Sequence, residues 1–388
     1  MPSDARLTAY RNRRRQRLES LPQLRSSRTA SGATAWHVAG ELLVLDDGRR
    51  AAERHLAGGG VDVSGDEELM PGLRRYIAPH ADIPATVAAV RAETDAPEPL
   101  VAPNHVFVAT GNVFGHGGPY GPPQPAAPAA LLPVGAAARR VPVAVLDTGL
   151  WKDSPLPPAV YAHGTVDVET DTDVDNDGVL DGDVGHANFI AGVVAARTRT
   201  ADISVIRVLD TFGICTEDNL IRGLDRIDPA ARVVNLSLGG YTVDGTPPLG
   251  LRAALRRLLG SGDRVVVAAA GNDGNATDPF WPAAFAGTGA SFADRVAAIA
   301  AHDGTGLCDW SNSGGWLTAA APGADVISTY IAHQQFPTGW ASWSGTSFAT
   351  PYVVAGVAER IARGSSARDA LRDVIAAAGR RFGDLPAL

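Results

Sequence analysis

Apolar positions in the last two thirds of the chain fall in short continuous blocks. Val143-Ala144-Val145-Leu146 is one such block. A run without polar alternation predicts a strand buried on both faces, as in parallel sheets. Thr148-Gly149 breaks it, so Asp147 stands at the strand's carboxyl end, where open α/β sheets place their sites. Val265 to Ala270 repeats the pattern and closes on Gly271-Asn272-Asp273-Gly274. Two longer apolar runs predict buried helices. One is Phe189 to Ala196, bounded by Arg197, with His186 near its start. The other is Phe348 to Ala358, which contains Pro351. Proline is tolerated in a helix's first turn, so this helix is expected to begin at about Ser347 with Pro351 in that turn. The fold class expected is α/β, a parallel sheet flanked by helices.

The front of the chain has a different pattern. Trp36 to Leu45 predicts a strand, Arg49 to Ala57 a helix closed by Gly58-Gly59-Gly60, and Val61-Asp62-Val63 and Leu73 to Ile77 two strands. Ile83 to Ala92 predicts a helix with Pro84 in its first turn, and Leu100 to Val108 a last strand. The order βαββαβ is ferredoxin-like, over residues 28–109. Residues 1–27 carry many arginines and are expected to form a basic arm, either disordered or an isolated helix. Residues 110–140 are rich in Pro, Gly and Ala and are a linker by composition.

Asp147, His186 and Ser347 occur in the order of one known nucleophilic triad. A serine hydroxyl needs a base to remove its proton, a histidine can be that base, and a buried carboxylate can orient it. A serine at a helix start also has free backbone N–H groups beside it, which suits a developing oxyanion. The Asn272 amide, after its own strand, could donate to the same oxyanion. Taken singly, each residue has a plainer role: turn residue, surface histidine, helix N-cap, turn asparagine. Four of them in order, each at a strand or helix terminus, outweigh that.

On these residues the chain resembles the subtilisin-like serine peptidases (subtilases, peptidase family S8), over roughly residues 141–363. The resemblance implies a subtilisin-like catalytic domain over 141–388. It implies that Asp147, His186 and Ser347 act as a triad and that Asn272 serves the oxyanion hole. Ser237, Leu238 and Gly239 look like the strand that pairs with an extended polypeptide substrate. Ala269, Ala270 and Gly271 look like one wall of the S1 pocket. The small front unit looks like the family's inhibitory propeptide, so the N-terminal domain is expected to act as an intramolecular inhibitor, with self-cleavage between about Val108 and Arg140. Catalysis implies no cofactor. Where the family has His-Gly-Thr, this chain has His186-Ala187-Asn188. A His-Gly-Thr does occur at His163-Gly164-Thr165, but Val166-Asp167-Val168-Glu169 follows it, not a small-residue helix.

Composition adds limits. The chain has 388 residues, enough for two domains, and a net charge of −8, which argues against nucleic-acid partners. Two cysteines, Cys215 and Cys308, make no disulfide scaffold, and free buried thiols are expected. No apolar run reaches membrane-spanning length, and no apolar segment follows the N-terminal arginines as in an export signal. The location is left open between the cytoplasm and export by another route. The loop Asp173-Val174-Asp175-Asn176-Asp177-Gly178 opens like a Ca²⁺ loop, with Asp181 at its ninth position. Val184 stands where a bidentate Glu would be, so a structural Ca²⁺ on Asp173, Asp175, Asp177 and Asp181 competes with a solvated acidic loop. Function also keeps two readings: a serine endopeptidase made as a self-processed zymogen, or a weak or inactive subtilase fold that grips peptides without cutting them.

Overall fold

The structure is a computed structural model that describes residues 15–94, 96–110, 121–132, 139–174, 176, 178 and 180–388. Its centre is an eight-stranded sheet. The strands are β7 (Val141–Asp147), β8 (Ala201–Arg207), β10 (Val233–Leu236), β12 (Val265–Ala269), β13 (Val296–His302), β14 (Ala319–Pro322), β17 (Arg380–Phe382) and β18 (Leu385–Ala387). Their order is β17-β18-β14-β13-β12-β10-β7-β8, parallel except for the closing β17–β18 pair. Alternate residues of each central strand face opposite layers. Val143, Val145, Val265 and Val267 pack on helices α3 (His186–Arg197), α6 (Thr346–Ala362) and α7 (Ala367–Ala376). Ala144, Leu146, Val266 and Ala268 pack on α4 (Glu217–Asp225) and α5 (Leu249–Gly260). Both faces are covered, which is why these strands read as unbroken apolar runs.

Pro351 lies deeper than the sequence suggests. Helix α6 begins at Thr346, so Pro351 is its sixth residue and not in the first turn. Its missing N–H would have bonded the carbonyl of Ser347. Ser237 Oγ donates to that carbonyl instead, at 3.0 Å. The proline is tolerated because a side chain from β10's exit replaces the lost donor.

The front unit builds on β2 (Thr34–Leu45), α1 (Arg49–Gly58), β3 (Gly65–Met70), β4 (Leu73–Ile77), α2 (Ile83–Thr94) and β5 (Val101–Ala109). The strand order is β5-β2-β4-β3, antiparallel throughout, and Ala52, Leu56, Val87 and Val90 of the helices pack on Leu42, Val44, Tyr76 and Val101. One predicted strand is misplaced. Val61-Asp62-Val63 is loop, and the strand is the charged segment Gly65–Met70. This edge strand carries cross-strand charge pairs, Asp66 with Arg74 (2.5 Å) and Glu67 with Arg75 (2.9 Å), and packs only its half-buried end, Leu69 and Met70, on the core. The expected basic arm also contains structure. Residues 15–20 are helical, and β1 (Leu24–Arg28) pairs with Thr34–Val38 of β2. Leu18 and Leu24 bury against Phe212 and Ile214. Residues 1–14 of that arm and most of the expected linker lie outside the described residues.

The two units share a sheet. β5 continues the front sheet into the larger unit by pairing on one side with β9 (Ile214–Thr216) and on the other with β11 (Leu238–Gly239). Around it, His105 Nδ1 meets Glu217 Oε2 at 2.9 Å, Asn104 Nδ2 donates to Asp218 Oδ1 at 2.9 Å, and Arg75 reaches Asp218 at 2.7 Å. Both cysteines are buried and free. No helix among the described residues is long and apolar enough to cross a membrane.

His37 of β2 faces His105 across the β2–β5 register and is 3% exposed. Burial first, then the neighbouring His105 and Arg25, lower its pKa to about 4, while Asp82 opposes them. The unfolded chain binds this proton from about pH 6.5 downward and the folded one does not, so stability falls as pH drops from about 6.5 to about 4. The loss attributable to His37 is roughly 3 kcal/mol. Acid unfolding of full-length Ser347→Ala, compared with the same chain carrying His37→Gln, checks this. The His37→Gln chain is expected to lose less stability over that interval, and parallel curves would contradict the assignment.

Candidate active site

Asp147 closes β7 and is fully buried. Its Oδ1 accepts from the Thr148 N–H (2.8 Å) and lies 2.7 Å from His186 Nδ1. His186 is the first residue of α3, after Gly185 at φ +75°, a left-handed turn that glycine adopts without strain. Its ring is walled by Trp343 and Phe348, with centroids 5.6 and 5.4 Å away. The unusual Ala187-Asn188 pair fits here. Asn188 Nδ2 donates to the Trp151 carbonyl (2.8 Å) and its Oδ1 accepts from the Trp151 N–H (2.9 Å), so one amide side chain ties α3 to the loop beyond Asp147.

Ser347 is the second residue of α6 and fully buried. Its hydroxyl does not reach the histidine. Oγ donates to the Ser237 carbonyl (2.9 Å) and meets Thr110 Oγ1 at 2.7 Å. His186 Nε2 is buried without a hydrogen-bond partner. The structure therefore joins Asp147 to His186 and leaves Ser347 turned aside.

Asn272 follows β12 and Gly271, whose φ is +100°. Its Oδ1 accepts from the Thr346 N–H (3.0 Å) and hydroxyl (2.8 Å), which fixes the amide's orientation. Its Nδ2 donates to the Thr110 carbonyl at 2.5 Å, and the Ser347 N–H donates to the same oxygen at 3.2 Å. Asn272 and Ser347 thus converge on one carbonyl of the chain itself. The Thr110 N–H donates to Ser237 O (3.2 Å) and the Ala109 N–H to Gly213 O (2.8 Å), while Leu238 and Gly239 pair with Ala109 and Val108. Of the expected pocket wall, Ala269 ends β12, the Ala270 carbonyl accepts from Asn312 Nδ2 (2.9 Å), and the Gly271 N–H donates to Thr346 Oγ1 (3.1 Å).

Three contributors lie outside the motifs. Thr110 was legible only as the residue after an apolar strand. Thr346 could have been read from Gly345-Thr346-Ser347, but only as a cap. Glu169 is buried on the loop beyond Asp147, and its carboxyl is pushed up to about 8, chiefly by burial and further by Asp147. Arg207, 3.5 Å away, opposes the shift without reversing it. Held neutral near pH 7, Glu169 spares Asp147 a second buried negative charge.

The acidic loop is less informative. Asp175 and Asp177 lie outside the described residues. Asp173 Oδ2 accepts from the Gly178 N–H (2.8 Å) and Asp181 Oδ2 from the Val174 N–H (3.0 Å), so each carboxylate serves its own loop. Among the described residues, no group of three His, Cys, Asp or Glu side chains could hold a metal ion. His163, the alternative histidine, sits in a bend outside this cluster.

Residues 138–378 match the profile of the subtilase family, peptidase S8. Over 256 residues the chain is 35% identical to thermitase of Thermoactinomyces vulgaris, covering 63% of this chain and 81% of thermitase. It is 30% identical over 246 residues to an intracellular serine protease of Paenibacillus polymyxa, 60% of this chain and 70% of that protein. Against subtilisin E of Bacillus subtilis it is 30% identical over 251 residues, 62% of this chain and 60% of that protein. With this match across the parallel sheet and its helices, the chain belongs to the subtilase family of serine-type endopeptidases.

Proposed function

We propose that this endopeptidase works through Asp147, His186 and Ser347, that it is made as a zymogen, and that its first substrate is its own Thr110–Gly111 bond. The observation that carries the reading is the Thr110 carbonyl, which accepts both Asn272 Nδ2 and the Ser347 N–H. Two donors on one carbonyl beside a buried serine are what stabilises an oxyanion during acyl transfer. The strand pairing of residues 106–109 with β9 and β11 is how an extended polypeptide substrate would be held.

In this mechanism Ser347 Oγ leaves Ser237 O, gives its proton to His186 Nε2 and attacks the Thr110 carbonyl carbon. Asp147 holds His186 Nδ1–H and stabilises the imidazolium. The tetrahedral oxyanion sits on Asn272 Nδ2 and the Ser347 N–H. Collapse breaks the Thr110–Gly111 bond, and His186 returns the proton to the leaving amine. Water then releases Thr110 from Ser347 by the same steps in reverse order. No cofactor enters. The front unit, still paired through β5, would inhibit until it leaves. A Ca²⁺ on the 173–181 loop takes no part in this reading.

The alternative, a fold that grips without cutting, draws on Ser347 being turned away from His186. That rotamer has a local cause: the Thr110 hydroxyl and Ser237 O hold Oγ. It is a property of the occupied site and does not require an inactive one.

Intact-mass analysis tests the reading. Wild type should yield a fragment ending at Thr110, and Ser347→Ala should remain one chain. Asn272→Ala should process about 10²–10³ more slowly. An uncut wild-type chain, a different terminus, or unchanged Asn272→Ala kinetics would each contradict it. Thr110→Val keeps the shape and removes the hydroxyl that holds Ser347 Oγ. One neutral hydrogen bond is worth roughly 0.5–1.5 kcal/mol, so its processing should be about 2- to 10-fold faster than wild type in a stopped time course. A slower rate would mean that the hydroxyl helps the reaction.

A further inference from the structure

Residues 15–33 precede the βαββαβ unit, and its helix-on-sheet core from Leu42 to Val101 contains none of them. They pack on the larger unit at two places instead. At one end, Leu18 and Leu24 bury against Phe212 and Ile214, together with Val38 and Val106. The Arg17 guanidinium lies 5.1 Å from the centre of the Phe212 ring, a favourable placement of a cation on an aromatic face. At the other end, the turn between β1 and β2 reaches Asp278. The Thr29 hydroxyl donates to Asp278 Oδ2 at 2.7 Å, and the Ser31 hydroxyl donates to the same oxygen. Ala35, just beyond the turn, is buried with Tyr241 and Phe280.

These two ends stand on opposite sides of β5. Val108 pairs with Ile214 of β9 on one side and with Gly239 of β11 on the other. Phe212 and Ile214 belong to the first side. Tyr241 and Asp278 belong to the second, where Gly240 bridges to Trp281. Between the ends is a cleft of about 850 Å³, lined by Ser26, Arg28, Trp36, Val106, Val108 and Tyr241. The segment thus crosses β5 as a bridge, touching both banks and leaving space over Val106 and Val108. It is joined to the front unit by the pairing of Leu24–Arg28 with Thr34–Val38. Whatever holds the segment therefore holds the front unit.

We infer that Phe212, Ile214 and Asp278 form a docking surface for residues 15–33, and that this clasp keeps the cut front unit seated in the substrate site. The inference rests on the proposed self-cleavage and goes beyond it by assigning contacts that retain the product. Once the Thr110–Gly111 bond is broken, the front unit stays only through non-covalent contacts. The β5 pairing and the anchor at Glu217 and Asp218 are one set of these, and the clasp is a second set on the same chain. Linked contacts reinforce one another, because while one set is made the other re-forms at high effective concentration. None of the clasp contacts named above reaches Ser347, His186 or the Thr110 carbonyl, so the clasp bears on release and not on the cut.

The test refolds the full-length wild type and two variants. It follows cutting by intact mass and opening of the site by fluorophosphonate labelling of Ser347. In wild type the cut chain should appear before the labelled one, and native mass spectrometry should find residues 1–110 and 111–388 still together during the delay. Leu18→Ala with Leu24→Ala removes the apolar end. Interface changes act mainly on dissociation, so this variant should cut at the wild-type rate and shorten the delay at least about tenfold. Thr29→Val with Ser31→Ala removes the two hydrogen bonds to Asp278 and leaves the apolar end in place. Its delay should shorten at least about threefold. This second variant decides the matter if the loss of two leucines disturbs folding of the front unit and slows the cut. Wild type that labels as soon as it is cut overturns the inference, as does an unchanged delay in either variant. An uncut wild-type chain would instead refute the self-cleavage on which the inference stands.

Discussion

The structure turns on the carbonyl of Thr110. It is met by Asn272 Nδ2 at 2.5 Å and by the Ser347 N–H at 3.2 Å, and each donor depends on a distant part of the fold. Asn272 is aimed by Thr346, which donates both its N–H and its hydroxyl to Asn272 Oδ1 from the first turn of α6. Ser347 is free to donate because it sits at a helix start, where backbone N–H groups have no intrahelical partner. The helix can start there only because its buried face, from Phe348 to Ile361, packs on the parallel sheet. The site is thus the junction of two strand ends and two helix starts.

Bringing Thr110 to that junction requires the front unit. β5 is both a strand of the front sheet and the strand between β9 and β11. Its placement is reinforced by polar pairs that the backbone ladder alone would not supply. Glu217 and Asp218 open α4 and receive His105, Asn104 and Arg75. Acidic groups at a helix N-terminus are already favoured there. One helix start therefore anchors the front unit while another builds the candidate active site.

Much of this was legible in the sequence because burial on both faces leaves continuous apolar runs. Val143 to Leu146 and Val265 to Ala270 gave strand ends, and the small-residue runs after His186 and Ser347 gave helix starts. What was not legible depends on register or on contacts across the fold. β3 is charged because its partner strand supplies arginines, so a search for apolar residues chose Val61 to Val63 instead. Pro351 was placed in the first turn because nothing in the sequence shows that Ser237 Oγ replaces its missing donor. Thr110 needs the β5–β11 register. Glu169 needs the fold to carry it beside Asp147.

The central claim is that residues 106–110 occupy the substrate site of their own chain until Thr110 is released. A time course of fluorophosphonate reaction with freshly refolded wild type, read by intact mass, addresses it directly. The account predicts that the probe's mass appears only on the species that has lost residues through Thr110, and never on the full-length chain. Rapid labelling of the full-length chain would contradict it, because it would mean that Ser347 and its oxyanion donors are open while the front unit is still attached.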